Sequence, residues 1–295
     1  MSNKKSDFYY ALFFKSLKLV SRLPFWCLHR ISDFLYFVLY YLVRYRKNVI
    51  ATNIRTAFPN NTAKENKKIA KKFVRHFGDF LMETLKTLSI SEKQLQKRYK
   101  YHKLDLIQDQ LNSGKNVMVL AAHMANWEWI FYASQLLKGN FWTAYSPLKN
   151  AVFDKLMVNN RERYGFKVVP SKKVAQTFVE LERNKKQYIN CLMSDQSPLA
   201  HYKYRAVFLG QDVPFFIGPE VYSTKYNLSV FYLSIKKVAR SKYEAELIPI
   251  TMNPQKTEKG WITSEYIRLM EQDIKNNPEY YLWSHRRFKH AKKNS

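Results

Sequence analysis

Apolar positions along this chain follow two spacings, and the switches between them lay out its elements. From Phe8 to Val20 they recur at helical spacing, with Lys15 and Lys18 on the other side. Ser21-Arg-Leu-Pro24 breaks the pattern. Phe25 to Val43 is then strongly apolar and aromatic. Its uninterrupted part, Phe34 to Val43, falls short of the ~20 residues that a spanning helix needs. Extending it back to Pro24 admits His29, Arg30 and Asp33. The stretch reads as a helix that lies in, or partly enters, a membrane; the other reading is a buried hairpin capping the core. No small-residue cleavage site follows, which argues against a cleaved signal peptide. Arg44 to Arg55 continues as basic helix. Thr62 to Leu88 is a long amphipathic helix whose buried stripe is Ile69, Phe73, Phe77, Phe80, Leu81 and Leu85.

Beyond that helix, short apolar runs alternate with helical stretches. Tyr99 begins a short strand, and Leu104 to Ser113 is a helix. Val117 to Ala122 is an apolar run of strand length, bounded by the turn residues Gly114 and Asn116. Asn126 to about Leu137 reads as helix. Phe141–Tyr145, Phe166–Pro170 and Tyr188–Met193 read as further strands. The helices between them end near Tyr164 and, after a Ser171 cap, near Lys186. A helix at Glu220 to Tyr226 leads to two long strands, Leu228 to Lys236 and Tyr243 to Ile250, joined by a turn at Val238 to Lys242. Trp261 to Asn276 is the last long helix. This order predicts an α/β fold with a central mixed sheet flanked by helices. The division expected is an N-terminal membrane-associated helical segment, 1–60, and a catalytic domain, 61–295.

The chemistry sits where the first long strand run ends. His123 follows Val117–Ala122 directly, and the carboxyl end of a strand in an α/β sheet is where ligands bind. Glu128 lies five residues on, a separation of roughly 140° around a regular helix. The two side chains can face each other only if His123 is in the loop and Glu128 in the first helical turn. A carboxylate beside imidazole fixes its tautomer and stabilises the imidazolium, which suits a general base acting on a hydroxyl. Asp195, at the end of the Tyr188–Met193 strand, is a second polar residue at a strand tip; an Asx-turn explains it equally well. Arg161 and Arg163 close a helix, where either can reach an anion or simply complement the helix dipole.

Composition narrows the partners. Fifty Lys and Arg against 23 Asp and Glu leave a net charge of +27. Such a surface attracts polyanions: nucleic acid, an anionic membrane or an acidic protein. With 16% aromatic residues it suits a membrane–water interface, and single-stranded nucleic acid as well. The two cysteines, Cys27 and Cys191, lie in apolar contexts and read as buried thiols, as in a protein facing the cytosol. There is no Walker loop, G-x-G-x-x-G, H-E-x-x-H, paired C-x-x-C or G-x-S-x-G. Metal, nucleotide and nicotinamide cofactors therefore have no sequence support.

The H-x-x-x-x-E spacing is similar to the signature of the glycerolipid and lysophospholipid acyltransferase superfamily. Its setting, Ala121-Ala-His-Met-Ala-Asn-Trp-Glu-Trp129, resembles the bacterial lipid A biosynthesis (lauroyl/myristoyl) branch. Further blocks agree in order: Arg46, Val49, Asn53 and Ala57-Phe-Pro59; Pro147-Leu-Lys-Asn150; Arg161-Glu-Arg163; Asp195-Gln196; Phe208-Leu-Gly210 with Gly218-Pro219; and Pro278-Glu-Tyr-Tyr-Leu-Trp-Ser-His-Arg-Arg-Phe288. Leu209 stands where the family pattern has a second Phe. The resemblance spans about residues 8–290.

The resemblance implies a glycerolipid acyltransferase-like fold and transfer of a fatty acyl chain to a hydroxyl of a lipid A precursor. His123 and Glu128 would be catalytic, with Glu128 orienting the imidazole. Asn126, Arg161, Arg163, Asp195 and Gln196 would bind substrate, and no metal or cofactor is expected. Acyl-acyl carrier protein, or acyl-CoA, would be the cosubstrate. The implied partners are acyl carrier protein, the lipid acceptor and an anionic membrane surface, not nucleic acid. The implied place is the inner membrane, with the catalytic domain facing the cytoplasm. His285, Arg286 and Arg287 read as structural or anion-binding, and a second catalytic histidine is the lesser reading. Another lipid acceptor remains open within the same chemistry. A non-enzymatic basic membrane- or nucleic-acid-binding protein would explain the charge but not the strand-tip His123 and Asp195.

Overall fold

A computed structural model of the chain describes residues 4–148 and 150–292, with side chains from Phe13 onward and without that of Val152. Lys149, within the Pro147–Asn150 block, lies outside the described residues. The helices are α1 (Lys4–Ser21), α2 (Phe25–Phe37), α3 (Lys47–Ala57), α4 (Ala63–Lys86), α5 (Glu92–Gln96), α6 (Asp105–Asn112), α7 (Ala151–Glu162), α8 (Val174–Arg183), α9 (Gly218–Tyr226) and α10 (Trp261–Asn276). The strands are β1 (Tyr99–His102), β2 (Val117–Ala121), β3 (Asn140–Tyr145), β4 (Lys167–Pro170), β5 (Tyr188–Met193), β6 (Arg205–Phe208), β7 (Gln211–Pro214), β8 (Ser229–Ala239) and β9 (Lys242–Thr251). Seven strands form one sheet in the order β1-β9-β8-β2-β5-β3-β4, parallel at every pairing except β8 with β9. Helices α6 and α9 pack against β2, α10 against β8 and β9, and α7 and α8 against β4. The chain is thus mixed α/β, with a mostly parallel sheet flanked by helices.

The sequence pattern explains the centre of the sheet. Every residue of β2 is buried, as expected of a strand with a neighbour on each edge and a covered face on each side. Helix α4 starts at a capping box: Glu65 N–H donates to Thr62 Oγ1, and the Thr62 N–H donates back to Glu65 at 2.7 Å. Helix α2 crosses α4 at Gly78, where an added Cβ would come within 3.1 Å of the Ser32 carbonyl oxygen. The crossing is polar as well as close. Ser32 Oγ donates to Asp79 at 2.8 Å, and the Arg240 guanidinium, from the β8–β9 turn, reaches both Asp79 and Asp33.

Several boundaries differ from expectation. Helix α2 continues into a π-turn, Val38–Leu42, and Arg44 and Arg46 then take positive φ. That corner, not a continuous basic helix, leads into α3. Among the described residues no helix is long and apolar enough to cross a membrane. Asn126 to Leu137 is not an α-helix; only Trp129–Gln135 coils, as a 3₁₀ segment. Its first four side chains are all buried, so no amphipathic stripe selects a regular helix. Ser171 does not cap α8 but opens a separate 3₁₀ turn. The β8 and β9 strands extend up to a tight turn at Arg240 and Ser241, with Ser241 at φ 55. The small β6–β7 hairpin was not anticipated; it turns at Leu209-Gly210, both at positive φ. Both cysteines are free, Cys191 buried and Cys27 half-buried.

Candidate active site

Strands β2 and β5 are parallel neighbours, with Ala121 beside Met193 at their carboxyl ends. His123 and Asp195 each follow two residues later, so the register itself sets them side by side. The Asp195 carboxylate grips the histidine twice. It pairs with His123 Nδ1 at 2.7 Å and accepts the His123 backbone N–H at 3.2 Å. Burial would push the Asp195 carboxyl up, but the facing imidazole and its hydrogen bonds outweigh this and hold it below its usual range. An ionised carboxylate only accepts, so Nδ1 carries the proton and Nε2 presents its lone pair. The Gln196 amide stands 3.4 Å from Nε2, and Trp127 meets the ring edge-on. The Asp195 side chain is 1% exposed and the histidine 17%, so the base opens outward while its acid is sealed.

The carboxyl-terminal segment splints the His123 loop. Leu282 N–H donates to the His123 carbonyl at 3.1 Å, and Ala125 N–H donates to the Tyr280 carbonyl at 2.9 Å. Met124 and Tyr281 form a bridge between the two hydrogen bonds. Ala125 sits at φ 52, a conformation costly for a non-glycine and held here by this lacing. On the other side of the loop, the buried His76 donates from Nε2 to the Ala125 carbonyl at 3.2 Å. Asn53 clamps the splint itself, donating to the carbonyls of Trp283 and His285 at 2.7 and 2.6 Å. That explains the Arg46–Pro59 block, whose role is structural.

Glu128 does not face His123. It lies buried in a forked ion pair with Arg161, at 2.8 Å from Nη2 and 3.3 Å from Nε. The guanidinium also lies against the rings of Phe131 and Tyr145. The expected His123–Glu128 contact is therefore replaced by two separate pairs, because the strand register favours Asp195 and the 3₁₀ turn carries Glu128 toward α7. Arg163 donates to the carbonyls of Thr87 and Ile90, which closes the end of α4. Asn126 is wholly buried: it donates to Glu83 at 2.7 Å and accepts the Trp129 N–H at 3.1 Å. Of the residues expected to bind substrate, Asp195 and Gln196 stand at His123, while Asn126, Arg161 and Arg163 are engaged inside the protein.

The remaining candidates sort by their partners. His285 Nε2 accepts the Ser197 N–H at 3.0 Å, and burial pulls its pKa down to about 4. Arg286 is exposed, whereas Arg287 is buried between Phe208 and Phe215 and donates to the Pro214 carbonyl at 3.3 Å. Cys191 lines an apolar space of about 20 Å³, and burial pushes its thiol up to about 12, out of range for a nucleophile. Tyr281, which hydrogen-bonds Asp195, was not singled out from sequence. A tyrosine among the aromatics of Pro278–Phe288 carries no distinguishing spacing.

Two buried histidines give the protein an acid limit. Burial lowers His76 to about 3 and His285 to about 4, from ordinary values near 6.5. Between those values the unfolded chain takes up protons that the folded chain refuses, so stability is full above about pH 6.5 and falls toward pH 4. Urea midpoints measured from pH 7 to 4 should drop over this window, with a smaller drop in His76→Asn. A flat profile contradicts the assignment.

A parallel-sheet enzyme with an acid-held histidine at adjacent strand tips is the class that this geometry defines: the histidine can take a proton from a hydroxyl without a metal. The chain belongs to the bacterial lipid A biosynthesis acyltransferase family, which matches residues 4–290, and it is an acyltransferase. It is 23% identical over 252 residues to the lipid A biosynthesis palmitoleoyltransferase of Escherichia coli (strain K12), covering 83% of this chain and 79% of that protein. The lipid A biosynthesis acyltransferase of Shigella flexneri is similar to the same degree, 23% over 252 residues with the same coverage.

Proposed function

We propose that this acyltransferase moves a fatty acyl chain from acyl carrier protein to a hydroxyl of a lipid A precursor at the cytoplasmic face of the inner membrane. The observation that carries the reading is the His123–Asp195 pair, sealed on the acid side and open at Nε2. His123 Nε2 takes the proton of the acceptor hydroxyl as its oxygen attacks the thioester carbonyl. Asp195 stabilises the imidazolium that forms. The C–O ester bond forms, the C–S bond breaks, and the proton passes from His123 to the departing thiolate. No metal or redox group enters this balance. Gln196, beside Nε2, is placed to orient the hydroxyl.

The N-terminal segment, residues 1–60, supports docking on an anionic bilayer. Trp26, Phe34, Phe37, Leu42 and Val43 are exposed on α2 and the π-turn, with Trp26 and Phe34 each 69% exposed. Arg22, Arg30, Arg44 and Arg46 are exposed around them. Aromatic side chains flanked by cations suit the interface, where each cation near an anionic leaflet contributes about 1 kcal/mol. The catalytic domain, 61–295, then works at the surface from which the acceptor is drawn.

The test is acyl transfer by the purified chain from labelled acyl carrier protein, or from acyl-CoA, into a lipid A precursor and into lysophospholipid. The expected result is label in the lipid A precursor from the carrier protein. Transfer only into lysophospholipid replaces the acceptor, and transfer only from acyl-CoA replaces the donor.

A further inference from the structure

Helix α4 presents one face to the loop that carries His123. His76, Phe80, Glu83 and Thr87 recur at intervals of four, three and four residues, so they line a single side of the helix and its end. Each meets a different residue of the loop. His76 Nε2 donates to the Ala125 carbonyl at 3.2 Å, and Glu83 accepts from Asn126 Nδ2 at 2.7 Å. Phe80 stacks on Trp127 with ring centroids 3.9 Å apart, and Trp127 meets the His123 ring edge-on at 5.4 Å. Thr87 Oγ1 accepts from Trp129 Nε1 at 3.2 Å. We infer that His76 and Glu83 are positioning residues for the base: without touching substrate, they fix the Ala125–Asn126 bend through which His123 Nε2 is aimed at the acceptor hydroxyl. The inference rests on His123 acting as that base, and it deepens that reading by two residues of α4.

Three observations support it. First, the bend does not hold by local preference. Ala125 takes φ 52, a conformation that an L side chain disfavours and that persists only where its surroundings over-determine it. The carboxyl-terminal segment takes the Ala125 N–H, and α4 takes the Ala125 carbonyl. Asn126 next to it is wholly buried, with its amide nitrogen on Glu83 and its amide oxygen on the Trp129 N–H.

Second, both residues are themselves held in one state. Lys237 Nζ donates to His76 Nδ1 at 3.3 Å, and burial keeps the ring neutral, so Nε2 carries the proton and acts only as a donor. Lys237 is paired in turn with Asp79 at 3.1 Å, and the other Asp79 oxygen accepts from Ser32 of α2 and from Arg240. Glu83 accepts from Ser241 Oγ and the Tyr243 hydroxyl as well as from Asn126, each at 2.7 Å. Ser241 is met at 2.8 Å by His29 Nε2, again from α2.

Third, stability alone does not explain a polar face here. Buried ionised groups lose their hydration, and apolar side chains of similar volume pack two elements together as firmly. What hydrogen bonds add is direction. Both polar chains end on adjacent residues, Ala125 and Asn126, two and three positions from His123. A base works only when its supporting shell holds it within about 0.5 Å of the productive place.

The experiment separates positioning from support of the fold. His76→Phe keeps a buried ring and removes the donor to Ala125. It should lower kcat on the order of ten- to a hundredfold while KM for acyl donor and acceptor holds. His76→Gln, whose amide donates to the same carbonyl, should recover most of the loss. Glu83→Leu should follow His76→Phe, and Glu83→Gln, which keeps an acceptor for Asn126, should follow His76→Gln. Leu111→Ala is the control for stability: it opens a cavity on α6, which leads into the amino end of β2, and should lower the urea midpoint without lowering kcat. Ring-nitrogen resonances of isotope-labelled histidine give a readout apart from turnover. The His123 signals should move in His76→Phe and return in His76→Gln. A folded His76→Phe with wild-type kcat, or with unmoved His123 signals, overturns the inference. So does a loss of kcat in Leu111→Ala that matches its loss of stability, which would make the effect one of the fold. Where Glu83→Leu does not fold, the His76 pair decides. If wild type transfers no acyl group, the proposed function fails, and the His123 signals still decide the positioning.

Discussion

His123→Ala should lower acyl transfer by ~10²–10⁴-fold, the usual contribution of a positioned general base. Asp195→Asn should fall almost as far, for a reason specific to this geometry. The carboxylate accepts from His123 Nδ1 and from the His123 backbone N–H, and it hydrogen-bonds Tyr281. An amide offers one acceptor oxygen and a donor NH₂ in place of two acceptors. It must therefore leave a donor unmet or turn the imidazole to the wrong tautomer. The check is single-turnover transfer from labelled acyl carrier protein, with circular dichroism and melting curves showing both variants folded. Near wild-type turnover by a folded Asp195→Asn would remove Asp195 from the mechanism, and a fully active His123→Ala would remove the base itself.

Breaking the Glu128–Arg161 pair should cost the most stability. Glu128→Ala leaves the Arg161 guanidinium buried without its counter-charge, and removing one partner of a buried pair typically costs ~3–5 kcal/mol. Glu128→Leu/Arg161→Met should lose less than either single change, because it strands no charge. Urea unfolding of Glu128→Leu, Arg161→Met and the double variant closes the cycle and measures the coupling. Were Glu128 instead the imidazole's partner, Glu128→Gln would lower turnover at unchanged stability and Arg161→Met would not mimic it. Matched loss of stability in the two single variants is the outcome that the ion pair requires. Because the pair adjoins the 3₁₀ turn after the His123 loop, some loss of turnover should follow the loss of stability.

The contrast between Glu128 and Asp195 shows where sequence reading stops. His123 was legible because an apolar run of strand length ends directly before it. Glu128 drew attention through a short spacing, and short spacings assume a regular local conformation. The segment from Ala125 to Trp129 is not regular: Ala125 is left-handed, and Asn126 is held by Glu83, 43 positions away. Asp195 was visible as a strand-tip residue, yet its partner was not, since the sequence carries no record that β2 and β5 are neighbours. The same holds for Asn53, whose amide meets carbonyls more than 200 positions later.

Periodicity and turn chemistry thus determined most of the elements, though not the 3₁₀ segment at Trp129–Gln135 or the β6–β7 hairpin. The long helix after Thr62, the buried β2, the closing helix at Trp261–Asn276 and the α/β class follow from local patterns that the backbone must satisfy wherever the element packs. The motif order likewise placed the chain in its family. Tertiary structure alone decided which charges meet. It gave Asp195 to His123, Glu128 to Arg161, and Arg163 to the end of α4. Pairing among ionised groups is set by distance and burial, and both come from strand order and register rather than from separation along the chain.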